Sequence, residues 1–293
     1  MSISDNFKVF CSNLRMDSED ISKIQYRYHM ITKRINMEYW DSTSDINHSL
    51  YVGSYGRGTD IFASDIDMLV ELPAEVYHRF NMYSGNKQSS FLQEIKGKLQ
   101  KTYSSSYLKG DGQIIAINFS DGINFEVLPC FLNSDKKTYT HADSNYGGSW
   151  RITKPKNEIQ AVNELNNATN KNYKRLCKMI RAWKHHCNVN ISGILIDTIA
   201  YRFLKEWKYK DNSYLYYDWM SRDFFKYLKE LDKLQTKWFV PGSDRYIFEC
   251  NNFSYKASIA YNKSLEAIEA ESREYFYTAK SKWREIYGTK FPL

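Results

Sequence analysis

The sequence predicts an α+β protein of two lobes: a mixed β-sheet lobe over residues 1–150 and a mainly helical lobe over residues 151–293. Three observations predict it. Runs with strand-like alternation gather in the first half. Stretches with helical spacing dominate after Asn157. Between them, around Tyr146–Lys156, "GGS" and Pro155 loosen the chain.

Each element has a local reason. From Asp17 to Trp40, Ile21, Ile24, Tyr28, Ile31 and Ile35 form one apolar stripe, with acids at the start and bases later, as the helix dipole prefers. "HSLYVGSYG" reads as a strand and a tight turn, and "SDIDMLVELP" as a second strand halted by Pro73. A polar loop is expected around "NMYSGNKQSS", then a helix over "FLQEIKGKLQKTY". "QIIAINF", the turn "SDG" and "INFEVLPCF" read as a hairpin.

The second half begins with a long helical pattern from Asn157 to His186, interrupted near "NNATN", where helix propensity is poor. Three more helical stretches follow: "ISGILIDTIAYRFLKEW", "SRDFFKYLKELDKL" and "YNKSLEAIEAESREYFYTAKSKWREIYG". No internal repeat or low-complexity tract is visible.

Composition bounds the function. The 293 residues are 42% hydrophobic and 26% charged, enough to bury a sizeable core. A net charge of +7 favours anionic ligands without demanding a long nucleic acid partner. No apolar run reaches membrane-spanning length, and the N-terminus lacks the layout of a signal peptide. Five cysteines without framework spacing suit a reducing compartment, so a cytoplasmic location is expected.

The chemistry centres on Asp65 and Asp67. One residue apart in a strand, they leave the same face about 7 Å apart, a spacing that can hold divalent cations. Such a pair is equally the pattern of a solvated strand end. Gly53 and Ser54 lie one strand and turn upstream; glycine lets a backbone approach an anion, and a serine hydroxyl can bind phosphate. In "INFEVLPC", Ile123, Phe125 and Val127 share one face, while Glu126 stands on the other between Asn124 and Leu128. A carboxylate in a central strand is costly unless paired or metal-bound, whereas on an edge strand it simply faces water.

In "NYKRLCKMIRAWKHH", Lys174, Lys178 and Arg181 share one side of a helix. That stripe suits a triphosphate or plain solvent. The cluster His185, His186 and Cys187 matches no zinc spacing, and "GSYGRG" lacks the ending of a P-loop. Together the features describe a site for a nucleoside triphosphate and two Mg²⁺ ions.

"VGSYGRGTDI…SDIDMLV" followed by "INFEVLPC" resembles the polymerase-β-like nucleotidyltransferases. More narrowly it resembles the bacterial relatives of cyclic GMP-AMP synthase and oligoadenylate synthase, the CD-NTases of anti-phage CBASS systems. "QYRYHMITKRIN" resembles that family's long N-terminal helix, "GGSWRITKP" its inter-lobe segment and "RLCKMIRAWK…ISGILID" its helical-lobe motif, so the likeness runs from Ile21 to Phe203.

The resemblance implies a bilobed fold with the active site in the cleft between lobes. It implies that Gly53 and Ser54 hold the triphosphate and that Asp65, Asp67 and Glu126 bind two Mg²⁺, for which Mn²⁺ can substitute. Arg181 and Ser192 match positions that contact donor phosphates, with Lys178 one turn away. Two positions depart from the family: the third acid is more often aspartate, and the basic residue matched to Arg181 is more often lysine.

The leading expectation is an enzyme joining ATP or other ribonucleoside triphosphates into a cyclic di- or trinucleotide second messenger. The product would reach a downstream effector by diffusion, regulatory protein partners would fit, and no membrane is involved. The alternatives are transfer to an RNA 3′ end, a protein or a small molecule, and a non-catalytic nucleotide-sensing scaffold. Trp150 and Tyr201 are candidates for stacking on a base.

Overall fold

A computed structural model describes residues 2–243 and 245–293, which form two compact units. The sheet unit comprises Met16–Arg57 and Phe62–Ile159; the helical unit comprises the residues up to Arg15, Gly58–Ile61 and Gln160–Leu293. These units differ from a single division at residue 150, because two early segments join the helical unit.

The first is α1 (Ile3–Asn13), begun by a capping box in which Ser2 Oγ accepts from the Asp5 amide and the Ser2 amide donates to Asp5. It buries Phe7 and Phe10 completely, and Phe7 meets Trp283 and Phe291 edge-on at 5.1 and 5.2 Å. Each phenylalanine contributes about 2–3 kcal/mol by leaving water, which fixes α1 to that core. No expectation covered α1, whose 11 residues give a short pattern.

In the sheet unit, α2 (Ser18–Tyr39) is capped by Asp17 and buries Ile24, Tyr28, Ile31 and Ile35, the expected stripe. β1 (Ser49–Tyr51) leads through α3 (Gly53–Arg57) and a loop to β2 (Asp65–Glu71). Pro73 ends β2 as expected but also opens α4 (Ala74–Asn81), a helix where none was expected. The polar loop is shorter than expected, because Asn86 accepts from the Ser89 amide and starts α5 (Lys87–Gln100).

β3 (Tyr107–Asp111), β4 (Ile114–Asn118), β5 (Asn124–Leu132), β6 (Tyr139–Asp143) and β7 (Ser149–Thr153) complete a seven-stranded sheet. Its main path is β1-β2-β5-β4-β3, with β6 on the far end of β5 and β7 beside β6. Only β2 and β5 run parallel, so the sheet is mixed. Ile66, Met68, Val70, Phe125 and Val127 face α2 and α5 in the core. That leaves the opposite face of both strands for the acids.

The helical unit holds α6 (Pro155–Ala168, entering from the sheet unit), α7 (Asn172–His186), α8 (Gly193–Glu206) and α9 (Tyr217–Glu230). A small hairpin follows, β8 (Lys237–Phe239) with β9 (Tyr246–Phe248), then α10 (Ser254–Ser272) and α11 (Phe276–Tyr287). The break expected near "NNATN" lies at Asn170 and Lys171, both with positive φ. The last stretch, expected as one helix, is two, because Glu274 adopts φ +63° between α10 and α11. Trp183, Trp238 and Trp283 lie fully buried in this unit. Among the described residues no helix is long and apolar enough to cross a membrane.

Candidate active site

β2 and β5 lie side by side in parallel register, with Asp65 opposite Asn124 and Asp67 opposite Glu126. The parallel pairing brings the acid of β5 beside the second acid of β2, and alternation puts both on one face. Burial, then the charges of Asp67 and Asp65, push the Glu126 carboxyl up to about 6. Burial raises Asp67 as well, with Arg57 opposing the rise. Asp65 is exposed at the strand start, and Asn124 Nδ2 reaches its Oδ1 at 3.4 Å.

Gly53 abuts this pair. Its φ is +59°, and a Cβ at that position would fall 1.7 Å from Asp67 Oδ2. Only glycine permits the backbone turn and the close approach together. The Val52 amide bonds the Asp67 carbonyl at 2.9 Å, tying the start of α3 to β2. Ser54 follows, half-buried at the second position of α3. Gly53, Ser54, Asp65, Asp67 and Glu126 thus all belong to the sheet unit, and the structure gathers Gly53, Asp67 and Glu126 closely.

Sequence reasoning missed Arg57 and Asn124. Arg57 ends α3 buried, with Nη1 3.4 Å from Glu158 Oε2, and its charge also favours ionised Asp67. Its only signal was a cation in the glycine turn "GSYGRG". Asn124 Oδ1 accepts from the Phe119 amide at 3.2 Å while its amide group reaches Asp65. Its place directly before the Phe125–Glu126 pair was the available signal.

The other expected residues lie in the helical unit. Lys178 is half-buried on α7, with its charge facing Asp60. Arg181 is buried: Nη1 donates to Asp197 Oδ1 at 2.6 Å and Nη2 to the Gly193 carbonyl at 3.0 Å. Ser192 caps α8, its hydroxyl accepting from the Leu195 amide and donating to Glu249. The amide of Ser192 donates to the same carboxylate at 2.7 Å. Arg181 and Ser192 were expected to face phosphate, and both are hydrogen-bonded within their own unit.

Trp150, a stacking candidate, packs among Tyr77, Phe91 and Phe131 with its indole N–H on Asn81. Tyr201 meets Tyr173 edge-on at 6.0 Å.

The site offers hard oxygen donors only. Among the described residues no three His, Cys, Asp or Glu side chains form a finished metal cage. The close donors are Asp67 and Glu126, with Asp65 near enough for its charge to act on both. Carboxylates that repel each other suit a divalent cation, which would cancel the repulsion.

A sequence profile of the Second Messenger Oligonucleotide or Dinucleotide Synthetase domain, SMODS, matches residues 1–166. The chain belongs to the SMODS family. It is therefore a nucleotidyltransferase of the oligonucleotide- and dinucleotide-synthetase class. No curated protein matches it.

Solved structures show the same SMODS fold at low identity. The dinucleotide cyclase DncV of Vibrio cholerae shares 11% identity, with a TM-score of 0.66 over 99% of this chain and 87% of that one. CdnC of Escherichia coli, solved with ATP, gives 13% identity and a TM-score of 0.64 over 98% of each chain. The STING-associated c-di-GMP synthase CdnE of Capnocytophaga granulosa gives 16% and 0.61, over 92% and 99%. The fold and family expected from the motifs are the ones found: an α+β CD-NTase with a mixed sheet and a long N-terminal helix.

Proposed function

We propose that this protein joins ribonucleoside triphosphates into a cyclic di- or trinucleotide second messenger, releasing pyrophosphate. The observation that carries the reading is the Asp67–Glu126 pair, held in register beside a glycine that leaves no room for a side chain. Asp65, Asp67 and Glu126 would hold two Mg²⁺ or Mn²⁺ ions. Bound there, the ions supply a lowered pKa at the attacking sugar hydroxyl and a counter-charge for the departing pyrophosphate.

The chain's own groups do the rest. Gly53 lets the backbone come close to the triphosphate, and the Ser54 hydroxyl donates to a phosphate oxygen. Arg57 and Glu158 lock the end of α3, which keeps Gly53 against Asp67. A net charge of +7 draws nucleotides without requiring a polynucleotide.

CdnC was solved in a complex with a HORMA protein, and two CdnE neighbours were solved with GTP and Apcpp and with Apcpp and Upnpp. These support nucleoside triphosphates as substrates and a regulatory protein as a partner for this chain. In the same reading the product acts on a downstream effector in anti-phage defence, within the bacterial cytoplasm.

The test incubates purified protein with all four ribonucleoside triphosphates and Mg²⁺ or Mn²⁺, then analyses phosphatase-resistant products by mass spectrometry. Cyclic products from the wild type, absent from Asp65→Ala and Asp67→Ala, support the reading. Linear products, or none, overturn it.

A further inference from the structure

Of three residues at helical spacing along α7, Lys174 lies close to Gly58, Lys178 acts on Asp60 through its charge, and Arg181 is linked to Thr59 through Asp197. Gly58 turns with φ +68°, and a Cβ there would lie 3.2 Å from Lys174 Nζ. Asp60 is half-buried and faces Lys178, whose charge partly offsets the cost of its burial. Thr59 is fully buried and donates from Oγ1 to Asp197 Oδ2 at 2.9 Å.

Asp197, on α8, is itself only 2% exposed and accepts from Arg181 on its other oxygen at 2.6 Å. Arg181 then reaches the Gly193 carbonyl at the start of α8 and, at 3.4 Å, the Cys177 carbonyl one turn back on α7. Thr59, Asp197 and Arg181 therefore form one dry, fully bonded chain. Arg181 makes three hydrogen bonds there and has 5% of its surface exposed. A guanidinium so placed has little left to offer a phosphate.

We infer that Thr59, Asp197 and Arg181 form a pin that fixes the Gly58–Ile61 segment, and that Arg181 is a positioning residue acting through this pin. The segment sits in the chain between Ser54 and Asp65, so the pin acts on the stretch that joins the phosphate turn to the acidic strand. Arg181 serves here in place of a direct phosphate contact. The guanidinium suits the role because it bonds two acceptors at once, which a lysine ammonium does less rigidly. The inference rests on the proposed function for its activity readout alone.

The experiment compares the full-length wild type with Thr59→Val, Thr59→Ser, Arg181→Lys and the Thr59→Val/Arg181→Lys double variant. Hydrogen–deuterium exchange over residues 53–67 reads the pin directly, and NTP titrations with pyrophosphate detection read kcat and KM. Thr59→Val and Arg181→Lys should each speed exchange in that stretch and lower kcat about tenfold, with KM for the triphosphate within about twofold.

The double variant should be no worse than the weaker single one, and Thr59→Ser should recover most of the loss. Wild-type exchange in Thr59→Val overturns the pin. So does a raised KM in Arg181→Lys alone, or losses that multiply in the double variant. Should Arg181→Lys fail to fold, the Thr59 pair decides by exchange and rescue. A wild type that makes no product, with faster exchange in both single variants, upholds the pin and defeats the proposed reaction.

Discussion

Asp67 and Glu126 stand opposite each other across two parallel strands, and burial together with the charges of Asp67 and Asp65 raises the Glu126 carboxyl. Such a pair is poorly matched to a folded protein without cations and well matched to one that binds them. It follows that the acids trade stability for function. Glu126→Gln should abolish nucleotide transfer yet raise the melting temperature in EDTA by ~1–3 °C. Differential scanning calorimetry with and without Mn²⁺ checks this, and the cation should stabilise the wild type more than the variant.

Gly53→Ala places a methyl group where Asp67 Oδ2 already lies and imposes a side chain on a left-handed backbone. The strain should cost about 1–3 kcal/mol in urea unfolding. Activity should fall by more than stability does. Gly85→Ala is the control, since φ there is also positive but no atom lies near the new methyl.

Arg57 and Glu158 form a buried ion pair, their side chains 8% and 7% exposed. Breaking a buried ion pair is costly, so Arg57→Met or Glu158→Leu alone should cost about 3–5 kcal/mol. Together the two changes should cost less than the sum of the single ones. Activity should stay low in the double variant, because Asp67 also loses the cation that favours its ionised form. Paired urea melts and product assays separate the two effects.

Asp218, in the first turn of α9, is pushed up to about 6 chiefly by burial, and its Oδ1 has no hydrogen-bond partner. A carboxyl raised in the folded state binds more protons folded than unfolded. Its favourable contribution is present below its ordinary value of 3.8 and is lost as pH rises from there to about 6. Asp218→Asn should therefore match the wild type near pH 3.5 and exceed it in stability above pH 6.5. Melting temperatures across that range test the sign.

Much of the site was legible in the sequence because strand alternation is local. Ile66, Met68 and Val70 are core residues, so Asp65 and Asp67 had to leave by the other face. The same rule separated Glu126 from Phe125 and Val127. Helical periodicity likewise located α2, and poor helix propensity located the α6–α7 break. What escaped was short or mixed in character. α4 has eight residues, and β3 carries lysine, glycine and aspartate at an edge of the sheet. The phosphate contacts expected at Arg181 and Ser192 came from the family resemblance, which says nothing about the Asp197 and Glu249 carboxylates that these residues bond here.

By itself, then, the sequence determined which face each acid takes, where the glycine turn lies and which half is helical, since these follow from neighbours within a few residues. Tertiary structure alone decided that β2 lies beside β5 with Asp67 against Glu126, that α1 and Gly58–Ile61 join the helical unit, and that Arg57 is buried near the acids. Those outcomes depend on pairing and burial between residues far apart in the chain. Alternation gives a side chain its direction, but only packing chooses what it meets.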